Sequence, residues 1–514
     1  MNGAQTLVKT LEKLGVTVCF ANPGTTELEI VEALGLSEKI KTVPVLYEGV
    51  AIGAADGYGR MTGIPGSALL HTGAGFPNGL SSVLNAAKSN SPLIAIVGDH
   101  PLEIREWNHV IASGVDITDV ARPYAKWVKR TSSDTVSADA EAAFHAATAC
   151  PPGPATLVVP SDVAWSESAP PTEATLQHTT PKVPQQNLDN ALMALKSGQP
   201  VALIVHDQVT TNSQALEAAH RIRQATGCSV MARAARVIRG PDIPPIDFLP
   251  YTPPLAVHEL KKYKYVILAG AHPPIFPWTY PENDLPMMTS PDCHIIKLAR
   301  MEQDVVDALT RLAEHFPECA KFEAAKAAEL EPSGGEITPD NLAVSIGALI
   351  PENAVVIDEA VTTGRSFYER SVNSERHDWL RNLGGALGYG QPVAIGCAFA
   401  CPDRKVIVLQ GDGAAMYNPQ ALWTIAREKL NVLVVIFANR TYQVLKVDMK
   451  LRNQDLNNTA GKTLTEIGGP DIDWVNLAES LGIPGHRVTT MEEFNEKFAE
   501  ESLSSKASLI EVVL

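Results

Sequence analysis

Short β-branched runs ending in Gly, Asp, Ser or Pro, each followed by an amphipathic stretch, recur along most of the chain. In the first third they are VTVCF, KTVPVLYE, GSALLHTG, SPLIAIVGD and PATLVVPSD, separated by stretches such as AQTLVKTLEKLG and GLSSVLNAAKSN. Parallel strands need a long crossover, usually a helix, so this alternation predicts parallel sheets covered on both faces. Residues 164–186 break the pattern with Pro, Thr and Gln and read as a linker, as does Lys326–Asp340. PVALIVHD and YKYVILAGAH mark a second α/β stretch, and AVVID, KVIVLQGD, NVLVVIFAN and ASLIEVVL a third. The expected architecture is α/β, with three doubly wound parallel-sheet domains at 1–165, 185–325 and 338–514. By pattern the first and last thirds are two similar folds.

Composition narrows the class. A chain of 514 residues, 45% hydrophobic, exceeds one domain. Fifty-eight acids against 42 bases give −16, the wrong sign for gripping nucleic-acid phosphates. No apolar run reaches the roughly 18 residues a bilayer span needs, and MNGAQTLVKTLEKLG lacks a signal peptide's basic-then-apolar order. Seven Cys without a CxxC pair suit a reducing interior. These features together predict an acidic cytoplasmic enzyme with neither nucleic acid nor membrane as partner.

In open parallel sheets ligands sit beyond the carboxyl ends of the strands. The run KVIVLQ leads into Gly411-Asp412-Gly413-Ala414, and the next run, NVLVVIFA, leads into Asn439-Arg440-Thr441. With one helical stretch between them, both loops emerge at the same sheet edge. A carboxylate and an amide oxygen suit Mg²⁺, which keeps phosphate oxygens and water as its other ligands. The glycines let backbone N–H groups approach a diphosphate. A bare Gly-Asp-Gly is otherwise an ordinary strand–turn–helix, and motif matches of that size are common by chance.

Gly-Asp-Gly followed at this interval by Asn resembles the diphosphate-binding motif of thiamine diphosphate-dependent enzymes, nearest to the benzoylformate decarboxylase and acetolactate synthase-like branch. The resemblance covers the whole chain and implies an N-terminal pyrimidine-binding domain, a middle domain and a C-terminal diphosphate-binding domain. It implies Mg²⁺ ligands at Asp412, Asn439 and the carbonyl of Thr441. Where the family often has Asn-Asn, this chain has Ala438-Asn439, and the second position carries the ligand.

The same resemblance assigns the catalytic Glu to Glu48, which opens a stretch rich in Gly49, Gly53, Gly57 and Gly59. Each interior helix Gly costs about 1 kcal/mol against Ala, so close backbone packing is expected there, by a twofold subunit contact. Glu48 would contact the pyrimidine of a cofactor bound mainly by the other subunit. Leu387 matches the bulky residue beneath the bent cofactor, Gly385 would offer a carbonyl to its amino group, and Thr362 and Thr363 are candidate phosphate contacts. Phe20-Ala21-Asn22-Pro23-Gly24-Thr25-Thr26-Glu27 resembles the FGNPGSNE loop of benzoylformate decarboxylase, with Thr25 in place of the serine that meets the substrate carboxylate. His71 matches that branch's histidine, suited to proton transfer near neutrality. The branch's second histidine is not evident: Pro277 or Trp278 stands near its place, and His272 lies earlier.

The implied activity is decarboxylation, carboligation, or both, of a small 2-oxo acid through an enamine, by a homodimer or homotetramer with active sites at the subunit interface. FAD is not expected, because the middle segment is short and His71 is present. The alternatives are acetolactate synthase proper with FAD and a catalytically silent regulatory relative. CoA-lyase relatives are disfavoured by the expectation that no tail follows ASLIEVVL.

Overall fold

In the computed structural model the apolar runs become strands of three sheets. The structure describes residues 1–105, 107, 115–171, 179–277, 287–317, 322–323, 330–456 and 458–514. Trp278 and parts of both predicted linkers lie outside the described residues. Strands β1 (Val18–Asn22), β2 (Lys41–Pro44), β3 (Gly66–Leu70), β4 (Leu93–Asp99), β5 (Trp127–Arg130) and β6 (Pro154–Pro160) form a six-stranded sheet ordered 2-1-3-4-6-5. Every pairing in it is parallel. Strands β3, β4 and β6 are buried at each position, as a sheet covered on both faces requires.

The middle third contributes β7 (Val201–Val205), β8 (Ser229–Ala232), β9 (Arg236–Arg239), β10 (Asp247–Phe248), β11 (Tyr265–Ala269) and β12 (His294–Ala299). Five of these make a parallel sheet ordered 10-8-7-11-12. The last third contributes β13 (Ala354–Glu359), β14 (His377–Arg381), β15 (Val406–Gly411), β16 (Val432–Ala438), β17 (Gly485–Val488) and β18 (Ser508–Val513), in a sheet ordered 17-18-16-15-13-14-9. The three parallel sheets expected from the sequence are thus present, and the third carries one added edge strand. Strand β9, from the middle third, closes the edge of the third sheet and runs antiparallel to β14. Read from its other edge without β9, the third sheet is 14-13-15-16-18-17, which repeats the order of the first sheet strand for strand.

The two matching halves pack through equivalent helices, Glu48–Thr62 after β2 and Gly390–Ala400 after β14. An ideal Cβ at Gly57 would lie 2.1 Å from the Val393 carbonyl oxygen, one at Gly396 1.9 Å from that of Ala54, and one at Gly53 2.5 Å from the Pro392 Cβ. The close approach read from the glycines is therefore present, but its partner is this chain's own helix rather than a subunit contact. Residues 48–60 are all buried within the single chain. Asp56 and Arg60, paired at 2.7 Å inside this contact, tie the halves further through Arg60 Nη1 donating to the Arg381 carbonyl (2.8 Å). Gly63, at φ 73°, ends the helix in the left-handed conformation with its N–H on the Gly59 carbonyl.

Candidate active site

Three groups of the residues picked from the sequence gather at strand ends. In the first, β3 ends at Leu70 and His71 caps the short helix Thr72–Gly75. His71 Nδ1 lies 2.9 Å from Glu27 Oε2 and 3.2 Å from Thr26 Oγ1. Glu27 is fully buried and also accepts the Gly24 N–H (2.6 Å) and the Thr26 hydroxyl. Gly24 and Gly98 have no room for a side chain: a Cβ at the first would strike the His71 ring and at the second Glu27 Oε1. Thr25, the residue picked for substrate contact, stays exposed, while its neighbour Thr26 is turned inward to the pair.

Glu48 opens its helix four residues beyond the end of β2, not at the strand end itself. Its carboxylate is buried and accepts Asn78 Nδ2 at 3.0 Å. A Cβ at Gly75 would lie 2.8 Å from Glu48 Oε1 and 3.2 Å from the His71 Cβ, so Glu48 and His71 flank one glycine. A buried acceptor-only group and an imidazole held by a second carboxylate are a set able to move protons.

The second group is at β15 and β16, neighbours with Gly411 opposite Phe437. Asp412 is buried; its Oδ2 accepts the Arg440 N–H (2.7 Å) and its Oδ1 that of Gly413 (2.8 Å), which brings the two loops together. Asn439 Oδ1 accepts the Thr441 N–H at 3.0 Å. Burial raises the Asp412 carboxyl above its ordinary range, against the pull of the Arg440 and Gly413 N–H groups and the Arg440 charge. Among the described residues no group of three His, Cys, Asp or Glu is placed to hold a metal ion by itself. The oxygens of Asp412, Asn439 and the Thr441 carbonyl are a hard donor set that fits Mg²⁺ completed by phosphate oxygens and water. Arg440 sits at φ 53° in the turn that carries them.

The third group surrounds the start of the Gly390 helix. Gly385 (φ 81°) is exposed with nothing within 4 Å of its missing Cβ, Leu387 is half-buried, and Gly388 is at φ 89°. Asn85, from the first half, grips Ala386 in both directions (2.9 and 3.1 Å), and Asn418 Nδ2 donates to the Gly388 carbonyl (2.7 Å). A Cβ at Gly49 would lie 3.1 Å from Asn418 Oδ1, so the start of the Glu48 helix abuts this turn. After β13, Val361 adopts φ 51°, a costly conformation for a β-branched residue, and leads into half-buried Thr362 and buried Thr363. Beneath all of these lies Glu359, 5% exposed; burial pushes its carboxyl up to about 7, against the pull of the N–H groups of Gly390, Gly388 and Tyr389 and the Gln410 amide. His272 stands exposed beyond β11, its imidazole held below the ordinary range by partial burial and then by His206, Arg233 and Lys88.

Sequence reasoning missed Glu27, Thr26, Asn78, Asn418 and the part Glu359 plays. Glu27 lay inside the quoted loop, where an acid reads as a turn residue until its burial is known.

Three doubly wound sheets with glycine-lined loops over an aspartate and an asparagine define a diphosphate-binding enzyme class, and comparison with known proteins names it. Residues 1–120 match the N-terminal TPP binding domain of thiamine pyrophosphate enzymes, and residues 363–512 their C-terminal TPP binding domain. The chain belongs to the thiamine pyrophosphate enzyme family. It is 37% identical, over its whole length and 99% of the relative's, to a Mycobacterium tuberculosis protein provisionally named acetolactate synthase large subunit IlvX. It is 25% identical to benzoylformate decarboxylase of Pseudomonas aeruginosa, across 98% of this chain and 97% of that one. The solved structure of the thiamine diphosphate-dependent 4-hydroxybenzoylformate decarboxylase of Rhodococcus jostii RHA1 superposes with a TM-score of 0.85 at 26% identity, covering 99% of this chain and 98% of that one.

Proposed function

We propose that this enzyme uses thiamine diphosphate and Mg²⁺ to decarboxylate a small 2-oxo acid, then protonates the product or joins it to a second carbonyl compound. The observation that carries this reading is half-buried His71 paired with buried Glu27 beside Glu48, at the strand edge of the half that matches the N-terminal TPP binding domain. When bound, thiamine diphosphate supplies a carbon nucleophile and an electron sink for the carboxylate's departure. Glu48 would polarise the aminopyrimidine, Leu387 would support the cofactor from beneath, and the Gly385 carbonyl would accept from its amino group. Asp412, Asn439 and the Thr441 carbonyl hold Mg²⁺. The backbone at Gly411, Gly413 and Ala414, with the Thr362 and Thr363 hydroxyls, receives the diphosphate. Thr25 meets the substrate carboxylate, and His71, oriented by Glu27, passes the proton. We take 1–165, 185–325 and 338–514 as the domains.

A cytoplasmic homodimer or homotetramer, with each site completed by the partner subunit, belongs to the same reading. Its support is the helix Gln443–Leu451, next to the Asn439–Thr441 turn, which has no buried residue and exposes Val444, Leu445 and Leu451. No helix among the described residues is long and apolar enough to cross a membrane. Similarity to the acetolactate synthase-named relative favours a second reading, carboligation by a flavin-containing synthase. Purified protein with Mg²⁺, thiamine diphosphate and a panel of 2-oxo acids, followed for CO₂ and products, tests the first reading. No CO₂ from any member would sink it, and an absorbance scan for bound flavin separates the second.

A further inference from the structure

The helix Gly390–Ala400 starts without a cap of its own, since Tyr389 stands at the N-cap and makes no capping hydrogen bond. Helix starts leave their first N–H groups unpaired, and a local Ser, Thr, Asp or Asn normally takes them. Here the acceptor comes from 29 to 31 residues away. Glu359, the last residue of β13, accepts the Gly388 N–H (2.7 Å) and the Tyr389 N–H (3.3 Å) on Oε1. On Oε2 it accepts the Gly390 N–H (3.0 Å) and Gln410 Nε2 (2.6 Å). Both oxygens therefore face donors, and the Gln391 amide in turn donates to Gln410 Oε1 (3.0 Å), fixing that side chain's orientation.

Only a carboxylate satisfies this arrangement. A glutamine would turn its own NH₂ group on two donors, and a serine or threonine would not reach across from the neighbouring strand. Burying a carboxylate is costly, so its presence asks for a reason beyond capping one helix. The reason lies in what it joins. Glu359 binds together the end of β13, which leads to Thr362 and Thr363, the end of β15, which leads to Gly411 and Asp412, and the turn Gly385–Gly388. Gly390 accommodates it, since a Cβ there would crowd Glu359 Oε2 at 3.2 Å and Val408 Cγ1 at 3.0 Å.

We propose that Glu359 is a positioning residue that holds the Gly385–Gly388 turn in its cofactor-receiving shape before the cofactor arrives. It acts through the backbone of that turn, and the inference rests on the assignment of the turn to thiamine diphosphate made above. Amide hydrogen exchange on the wild-type protein without cofactor should find Gly388, Tyr389 and Gly390 as protected as helix-interior amides. Exchange at the rate of a frayed helix start overturns the proposal, whatever the cofactor proves to be. In Glu359→Gln those amides should exchange about tenfold faster or more, the scale of a lost charge-assisted bond, while the amides of β3 and β4 stay as they were. Calorimetry with two probes, thiamine diphosphate and inorganic pyrophosphate, each with Mg²⁺, then separates positioning from general stability. The variant should lose about 10- to 100-fold in affinity for the first and less than about twofold for the second. Equal losses for both probes would make Glu359 a general stabiliser and end the positioning role. A wild-type protein that fails to bind thiamine diphosphate would instead sink the reading of the site, with the exchange result still deciding whether Glu359 orders the turn.

Discussion

Gly57→Ala puts one methyl group into the contact between the two halves, and its effect follows from the structure. The new Cβ would start 2.1 Å from the Val393 carbonyl oxygen, a backbone atom that no rotamer change moves away. Relief needs the helices to part by about 1.3 Å to reach ordinary contact, in an interior packed like an organic crystal. Overpacking of this kind costs about 1–3 kcal/mol, and an immovable backbone partner puts Gly57 at the upper end. Against it stands a gain of about 1 kcal/mol from replacing a helical glycine, so the net loss should be about 2 kcal/mol. Gly35→Ala is the matched control. It ends the helix Leu28–Gly35 with nothing within 4 Å of its missing Cβ, so it should be neutral or stabilising by up to about 1 kcal/mol. Urea midpoints of both variants, taken at two protein concentrations, give the test. The Gly57 loss should not depend on concentration, because the contact lies within one chain. A Gly57→Ala protein as stable as Gly35→Ala, or one whose loss vanishes on concentrating it, refutes the reasoning.

Asp412→Ala should abolish Mg²⁺-dependent binding of thiamine diphosphate, and unchanged affinity by calorimetry would end the metal assignment. Glu48→Gln keeps the shape and the Asn78 contact but cannot exchange a proton. It should retain the cofactor while C2 hydrogen–deuterium exchange, followed by NMR, falls about 10²-fold or more; near-normal exchange would mean that another group does this work. His377, 2% exposed, is driven by burial from its ordinary 6.5 down to about 4. Its contribution is full above pH 6.5 and is lost as pH falls toward 4, where the unfolded chain takes up a proton that the folded one refuses. The loss reaches about 3 kcal/mol. Glu359, raised by burial, works in the opposite direction between 7 and 4.5, so the His377 share is read as the difference between wild type and His377→Phe. Parallel urea-midpoint profiles for the two from pH 7.5 to 4.5 would contradict it.

Hydrophobic patterning made the long buried strands readable, since β4, β6 and β16 are runs that only a doubly covered sheet buries whole. Strands without that pattern escaped. Trp127–Arg130 is a partly exposed edge, Asp247–Phe248 has two residues, and Arg236–Arg239 gains its partner only because the chain crosses into another sheet. In the candidate site, Asp412, Asn439 and His71 could be picked out because each directly follows a strand run, whereas Glu48, set beyond the end of β2, was reached only through the family resemblance. Glu359 escaped as a site residue, since most of its partners are backbone N–H groups that no residue identity encodes. Positive φ at Val361 and Arg440 was hidden for the same reason: neither residue type announces the conformation.

The repeated sheet order sets the two halves of the candidate site side by side for comparison. The turn after β3 in the first half and the turn after β15 in the second occupy the same place in the same topology. One carries His71, an imidazole leaning on a buried acid, and the other Asp412, a buried carboxylate that accepts the Gly413 and Arg440 N–H groups. One backbone framework thus presents an imidazole at one copy of the position and a buried carboxylate at the other, the residues proposed above for proton transfer and for Mg²⁺. The helices that follow β2 and β14 are also equivalent, and they are the two that cross at Ala54 and Gly396. Their starting residues have diverged as the turns have. The first begins with Glu48, a free-ended acid held by Asn78, whereas the second begins with glycine and borrows its acid, Glu359, from the strand beside it. The acid at the first helix start is therefore left available for chemistry, while the acid serving the second is consumed by backbone donors. That difference explains why substituting Glu48 should leave cofactor affinity nearly intact and substituting Glu359 should not.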